Sequence, residues 1–399
     1  MNLLKNLFVG IVMFLAVFPA MGVVSSISGW NISILLFTAG LSTLFFYFYT
    51  GKNIPIFLGP SFAIMAMAMS VSKTLGPEYA QGDMIVAGVV YLLSALIIHS
   101  VGLSVILKAF PPIVVGTMIT IIGAYLMPVA ISNCNSNWVI SIFTLLAILF
   151  AYFNLPKHLK IFSILAGYIV GYLIAISFEP ANLGAMVQKT SFFKLPHFQF
   201  PKFDIGSMIS IGIISAIAPQ LEHVGDIFAI SSIARKDFFL RPGLHRTLSG
   251  NGIATIFTAA IGGIGVTSYS EASGAYVINE DYNPNYVVIA GVIALIISFI
   301  PVVSVFLMTI PKAAIGAIML VMFGLISSVG IRTLIIHEVN LSQGKNLLIL
   351  AIMLSLGIGG AEISIGYFKL SGVALAGIAG IIMNILLPDT EDEDKTEKN

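Results

Sequence analysis

Apolar residues in this chain come in long runs, not in the alternating or one-faced patterns of a water-soluble fold. The runs lie near 7–26, 31–49, 54–72, 83–107, 110–128, 136–154, 159–178, 205–233, 245–262, 264–280, 285–308, 311–334, 344–360 and 366–387. A helix needs about 20 apolar residues to cross a bilayer, so the pattern predicts an all-α polytopic membrane protein with about 14 transmembrane segments. Two runs read poorly as continuous helices. In IPIFLGPSFAIMAMAM (54–69) Gly59-Pro60 interrupts the apolar stretch, and in IGGIGVTSYSEASGAYVI (261–278) three glycines and a Ser-rich, β-branched stretch precede Glu271. Each predicts a short extended strand leading into a half-helix. Such backbone is tolerated at membrane depth only where it is buried in protein or lines a cavity.

The segments FPPIVVGTMITIIGAYL (110–126) and IPKAAIGAIMLVMFGLI (310–326) share Pro111/Pro311, Gly116/Gly316 and Gly123/Gly324 at an offset near half the chain length. Seven spans per half is an odd number, so a second copy would enter the membrane in the opposite sense. A 7+7 inverted repeat of this kind is a secondary-transporter architecture, with its site at the broken helices near the midplane.

Composition agrees with the pattern: 58% of the 399 residues are hydrophobic, 9% are charged, and mean hydropathy is +1.01. A net charge of +1 without a dense basic cluster excludes nucleic acid as a partner. With the N-terminus inside, 13 of the 19 Lys and Arg residues fall on cytoplasmic segments, which predicts both termini in the cytoplasm. The first apolar run has no clear small-x-small cleavage site and is read as a span rather than a signal peptide. The acidic end DTEDEDKTEKN (389–399) reads as a disordered cytoplasmic tail. One cysteine, Cys134, supports neither an internal disulfide nor a thiolate metal site, and the sequence calls for no cofactor.

Of 18 acidic residues, Glu222, Asp226 and Glu271 fall within spans, while Glu362 lies nearer a span boundary. Each carboxylate at the bilayer centre costs about 2.5–3.5 kcal/mol, so these must face a polar cavity, be protonated, or both. Glu222 and Asp226, in LEHVGD, are four apart and share one helix face. Close acids in an apolar setting bind and release a proton within reach of physiological pH. His223 points off that face, toward packing or an inter-helix hydrogen bond. An intramembrane protease is disfavoured because neither HExxH nor GxGD occurs. A channel would favour rings of repeated polar residues over one asymmetric cluster.

FLGPSFA, LEHVGD, RPGLHRTLSGNG, TSYSEASG and GIRTLI, in this order and spacing, resemble the uracil/xanthine permeases of the nucleobase-ascorbate transporter family over about residues 8–387. The resemblance implies a membrane domain over 1–388. Its core would comprise spans 1–4 and 8–11 (about 7–107 and 205–308), and its gate spans 5–7 and 12–14 (about 109–178 and 311–387). It also implies a homodimer in the cytoplasmic membrane that takes up a nucleobase with protons. Matching positions place base contacts at Ala20, Phe62, Glu222, Ser270 and Glu271, and proton coupling at Glu222 and Asp226. Substrate signals are mixed. Asp226 stands where uracil-type members usually carry His and purine-type members Asp, whereas Glu271 stands where purine-type members usually carry Gln. Ala272 replaces a common Asn, and Ser270 replaces a glycine. Uracil is the expected base, with xanthine or uric acid the alternative.

Overall fold

The computed structural model describes residues 2–102, 111–178, 191–208, 212–269, 272, 276, 282–365 and 368–388. The chain is mostly helical. The first half holds α1 (Asn2–Ser28), α2 (Ile32–Tyr49), strand β1 (Phe57–Pro60), α3 (Phe62–Thr74), α4 (Pro77–Val101), α5 (Pro112–Cys134), α6 (Trp138–Asn154) and α7 (Ser163–Phe178). The second holds α8 (Ile217–Ala234), α9 (Leu244–Ala260), β2 (Val266–Tyr269), α10 (Asn285–Ser298), α11 (Pro301–Met308), α12 (Lys312–Ile336), α13 (Gly344–Ile358), strands β3 (Glu362–Ile365) and β4 (Phe368–Ser371), and α14 (Gly372–Leu386).

By length and composition, five helices among the described residues are apolar enough to cross a membrane: α1, α2, α4, α5 and α12. The pair α10 and α11 makes a sixth if counted as one span bent by 86°. The 285–308 run is therefore not one straight helix. Pro301 starts a new helix, and Ile300 before it takes extended backbone, as residues preceding proline do. Two further boundaries differ from the apolar runs. The run from 205 begins with isolated helical turns before α8, and the run from 366 contains strand β4, which pairs antiparallel with β3, Glu362 with Ser371 through Ile365 with Phe368.

Glycines bring the two halves into contact. A Cβ on Gly40 of α2 would lie 2.5 Å from the Gly291 carbonyl of α10; on Gly88 of α4, 2.8 Å from the Gly252 carbonyl of α9; on Gly330 of α12, 2.5 Å from the Gly116 carbonyl of α5. Each crossing sets glycine against glycine, so the helix backbones approach as closely as small-residue membrane interfaces allow. Gly116 and Gly316 occupy related places: the first faces Gly330 and Leu334, the second Ala130 and Cys134, at the same offset of 200. The repeat-matched Gly123 and Gly324 do not. A Cβ on Gly123 would meet the Phe323 carbonyl at 2.5 Å, whereas one on Gly324 would meet nothing within 4 Å.

Candidate functional site

The two interrupted runs meet in the protein interior. β1 and β2 pair antiparallel, Phe57 opposite Tyr269, Leu58 opposite Ser268, Gly59 opposite Thr267 and Pro60 opposite Val266, and all eight residues are buried. Four residues per strand leave most backbone groups in need of other partners, and a threonine on a neighbouring helix supplies one in each half. Thr43 of α2 accepts from the Leu58 N–H at 2.9 Å and donates to the Leu58 carbonyl at 3.2 Å. Thr255 of α9 does the same for Val266, at 3.2 Å each way. Gly59 is required by close approach, because a Cβ there would sit 2.5 Å from the Tyr269 ring. The Tyr269 hydroxyl donates to the Pro60 carbonyl at 2.8 Å and closes the crossing.

α3 starts where β1 ends. Ser61 is its N-cap and accepts from the Ile64 N–H at 3.3 Å. The first-turn amides of Phe62 and Ala63 have no acceptor within the helix and point along its axis at the strand crossing. Phe62 is buried, and its ring meets the Phe323 ring of α12 edge to face, with centroids 5.6 Å apart. Ala20 is buried on α1, beside Pro19, whose carbonyl accepts from the Tyr168 hydroxyl of α7 at 3.1 Å.

α8 packs against both β2 and α3. Glu222 and Asp226 are half-buried, one turn apart on it. Asp226 accepts a hydrogen bond from the Ser268 hydroxyl of β2 at 2.5 Å, so this face of α8 is turned to the strand crossing. His223 is fully buried on another side, its Nδ1 3.5 Å from the Asn251 side-chain nitrogen of α9 and its ring edge-on to Phe46 of α2. Ser270 and Glu271 lie outside the described residues.

Ala20, Phe62, Glu222 and Asp226 thus sit on elements that converge on one crossing. Sequence reading missed Ser268, Tyr91 and Asn251. The Tyr91 hydroxyl lies within electrostatic reach of Glu222. Among the described residues, Tyr91 Oη, His223 Nε2, Asn251 Oδ1 and Thr267 Oγ1 are buried polar atoms without a hydrogen-bond partner. Buried polar atoms are nearly always paired, so these four, on β2 and on helices α4, α8 and α9, mark a region suited to polar occupants. The available signal was Asn251 between two glycines, Gly250 and Gly252, in a span.

A model described as the Permease family matches residues 4–365. The "Probable uracil permease" of Haemophilus influenzae is 37% identical over 98% of this chain and 96% of its own length. The "Uracil permease" of Bacillus subtilis is 33% identical over 95% and 91%, and that of Escherichia coli 30% over 92% and 90%. Among solved structures, the transmembrane domain of the cyanobacterial bicarbonate transporter BicA superposes with a TM-score of 0.64 at 15% identity, covering 96% of this chain and 98% of that one. The overall structure of SLC26A9 gives 0.71 at 11% identity, covering 96% of this chain and 65% of that one. At such identities these two speak for the fold alone.

Proposed function

The chain belongs to the uracil/xanthine permease family, and from that premise we propose that it is a proton-coupled uracil importer of the cytoplasmic membrane. The observation that carries the reading is the placement of Glu222 and Asp226 on the α8 face that bonds to the β1–β2 crossing. A pyrimidine-dione offers alternating N–H and C=O groups. Protonated Glu222 presents an O–H donor and a carbonyl acceptor side by side, which matches one N–H/C=O edge of the ring. The ionised carboxylate keeps only the acceptor and faces the ring carbonyl with like partial charge. Loss of one such buried hydrogen bond is worth on the order of 1.5–3 kcal/mol, or about 10- to 150-fold in affinity. Base and proton are therefore taken up together on the side of higher proton activity and released together on the other.

In this scheme the free amides at Phe62 donate to a ring carbonyl, the Phe62 ring covers a face of the base, Ala20 bounds the site, and Ser270 and Glu271 complete it from the second half. Asp226, held by Ser268, tunes proton exchange at Glu222. The fourteen-span 7+7 arrangement, the core and gate division, cytoplasmic termini and a homodimer belong to the same proposal, supported by the paired strands and the glycine crossings between halves.

Competition of labelled uracil uptake by unlabelled uracil, thymine, xanthine and uric acid tests the substrate. Uracil is expected to compete best. Displacement by xanthine or uric acid at lower concentration than by uracil would assign the chain to the purine branch.

A further inference from the structure

Between α7 and the helical turn at Ile205–Ser207 the chain passes through SFFKLPHFQFPKFDI, residues 191–205, which contains five phenylalanines and forms no helix or strand before Ile205. Three backbone hydrogen bonds fasten it. Lys194 N–H donates to the Phe299 carbonyl at 3.1 Å, Gln199 N–H to the Ile261 carbonyl at 3.3 Å, and Lys202 N–H to the Glu78 carbonyl at 2.9 Å. Phe299 is the C-cap of α10, Ile261 the C-cap of α9, and Glu78 lies in the first turn of α4. One segment thus bridges the ends of three helices.

Two rings touch the protein while keeping exposed surface: Phe193, 62% exposed, stacks on Phe299 with centroids 5.3 Å apart, and Phe198, 39% exposed, meets Phe37 edge-on at 5.5 Å. The others face outward, with Phe192 83%, Phe200 74% and Ile205 76% exposed. Exposed aromatic side chains rimmed by charge mark an interaction site. Lys194 and Lys202 are exposed among the rings, and α4, whose first turn the segment touches, carries exposed Val89, Leu93 and Leu96 further along. Phenylalanines interleaved with lysines beside helix ends match the headgroup boundary of a bilayer, where apolar side chains sink into the acyl edge and the lysines reach water.

We propose that residues 191–205 form an interfacial strap whose outward aromatic face is covered by the headgroup boundary of the bilayer, holding the ends of α4, α9 and α10 at a fixed depth. The proposal rests on the chain being a membrane protein and not on which base it carries. In a Trp30→Phe, Trp138→Phe background, Phe200→Trp and, separately, Phe192→Trp place a single fluorophore on the strap. The variants are reconstituted in phosphatidylcholine brominated either near the headgroup or near the chain end, and uracil uptake by the same vesicles is recorded independently. Emission is expected to be quenched at least ~2-fold more by the shallow bromines than by the deep ones, with little quenching by aqueous iodide. Quenching by iodide and by neither lipid would make the segment a water-exposed loop and overturn the proposal. Protection from both lipids and from iodide would overturn it in favour of a second copy or another protein.

Discussion

In the proposed scheme Glu222 presents two hydrogen-bonding groups to the base in one protonation state and one in the other, and an amide can imitate only the first of these. Gln carries a carbonyl and an N–H side by side but cannot ionise. Glu222→Gln is therefore expected to bind uracil within about 10-fold of wild type and to support exchange of uracil across the membrane while losing concentrative uptake. Binding by the detergent-solubilised variant and counterflow in vesicles separate the two properties; protonophore-sensitive accumulation by the variant would contradict the assignment. In the same scheme Asp226 acts through its neighbour. Asp226→Asn removes a like charge one turn away, so the alkaline limb of the uptake profile is expected to move to lower pH with the ranking of competing bases preserved. A reordered ranking would place Asp226 on the base itself. Glu222 and Asp226 were legible in the sequence because carboxylates are rare in apolar spans and a spacing of four fixes their shared face. Ser268, which donates to Asp226, was not, because that contact spans 42 residues and depends on the register of β2.

At the scale of elements, three pairs of helices from the two halves cross at facing glycines. Gly330→Ala would place a methyl 2.5 Å from the Gly116 carbonyl and 2.4 Å from the Thr120 nitrogen, both backbone atoms that cannot rotate away. Overpacking of this kind costs about 1–3 kcal/mol, so the variant is expected to unfold at a lower temperature in detergent. Gly324→Ala, where nothing lies within 4 Å, is expected to leave that temperature unchanged; equal losses in both would mean that helix glycine content, not the crossing, matters. Gly59→Val should abolish uptake by driving a side chain into the Tyr269 ring. Retained uptake with a folded protein would show that β1 and β2 tolerate separation. The two broken runs announced themselves through Gly59-Pro60 and the glycines at 262, 263 and 265. Their pairing with each other did not, since no local pattern encodes a contact across 200 residues. The bend before Pro301 was hidden for a different reason: the apolar run continues through it, and hydropathy is blind to backbone direction.

For the whole molecule, the two halves supply one strand each to a common crossing, and each half secures its strand with a threonine from a neighbouring helix. That arrangement places one acid-bearing helix, α8, against a strand of its own half and α3 of the other. In the proposed scheme, core and gate move against one another, the site between them exchanges its opening from one face to the other, and a proton on Glu222 travels with the base. The central claim is the obligate link between that proton and uracil. It is tested most directly by imposing a pH gradient, acid outside, on proteoliposomes that contain the purified protein, and following labelled uracil in wild type and Glu222→Gln in parallel. Wild type is expected to concentrate uracil above the external level and to lose the accumulated label when a protonophore is added, whereas Glu222→Gln only equilibrates it. Accumulation by wild type that ignores the gradient, or accumulation by Glu222→Gln that follows it, would contradict the account.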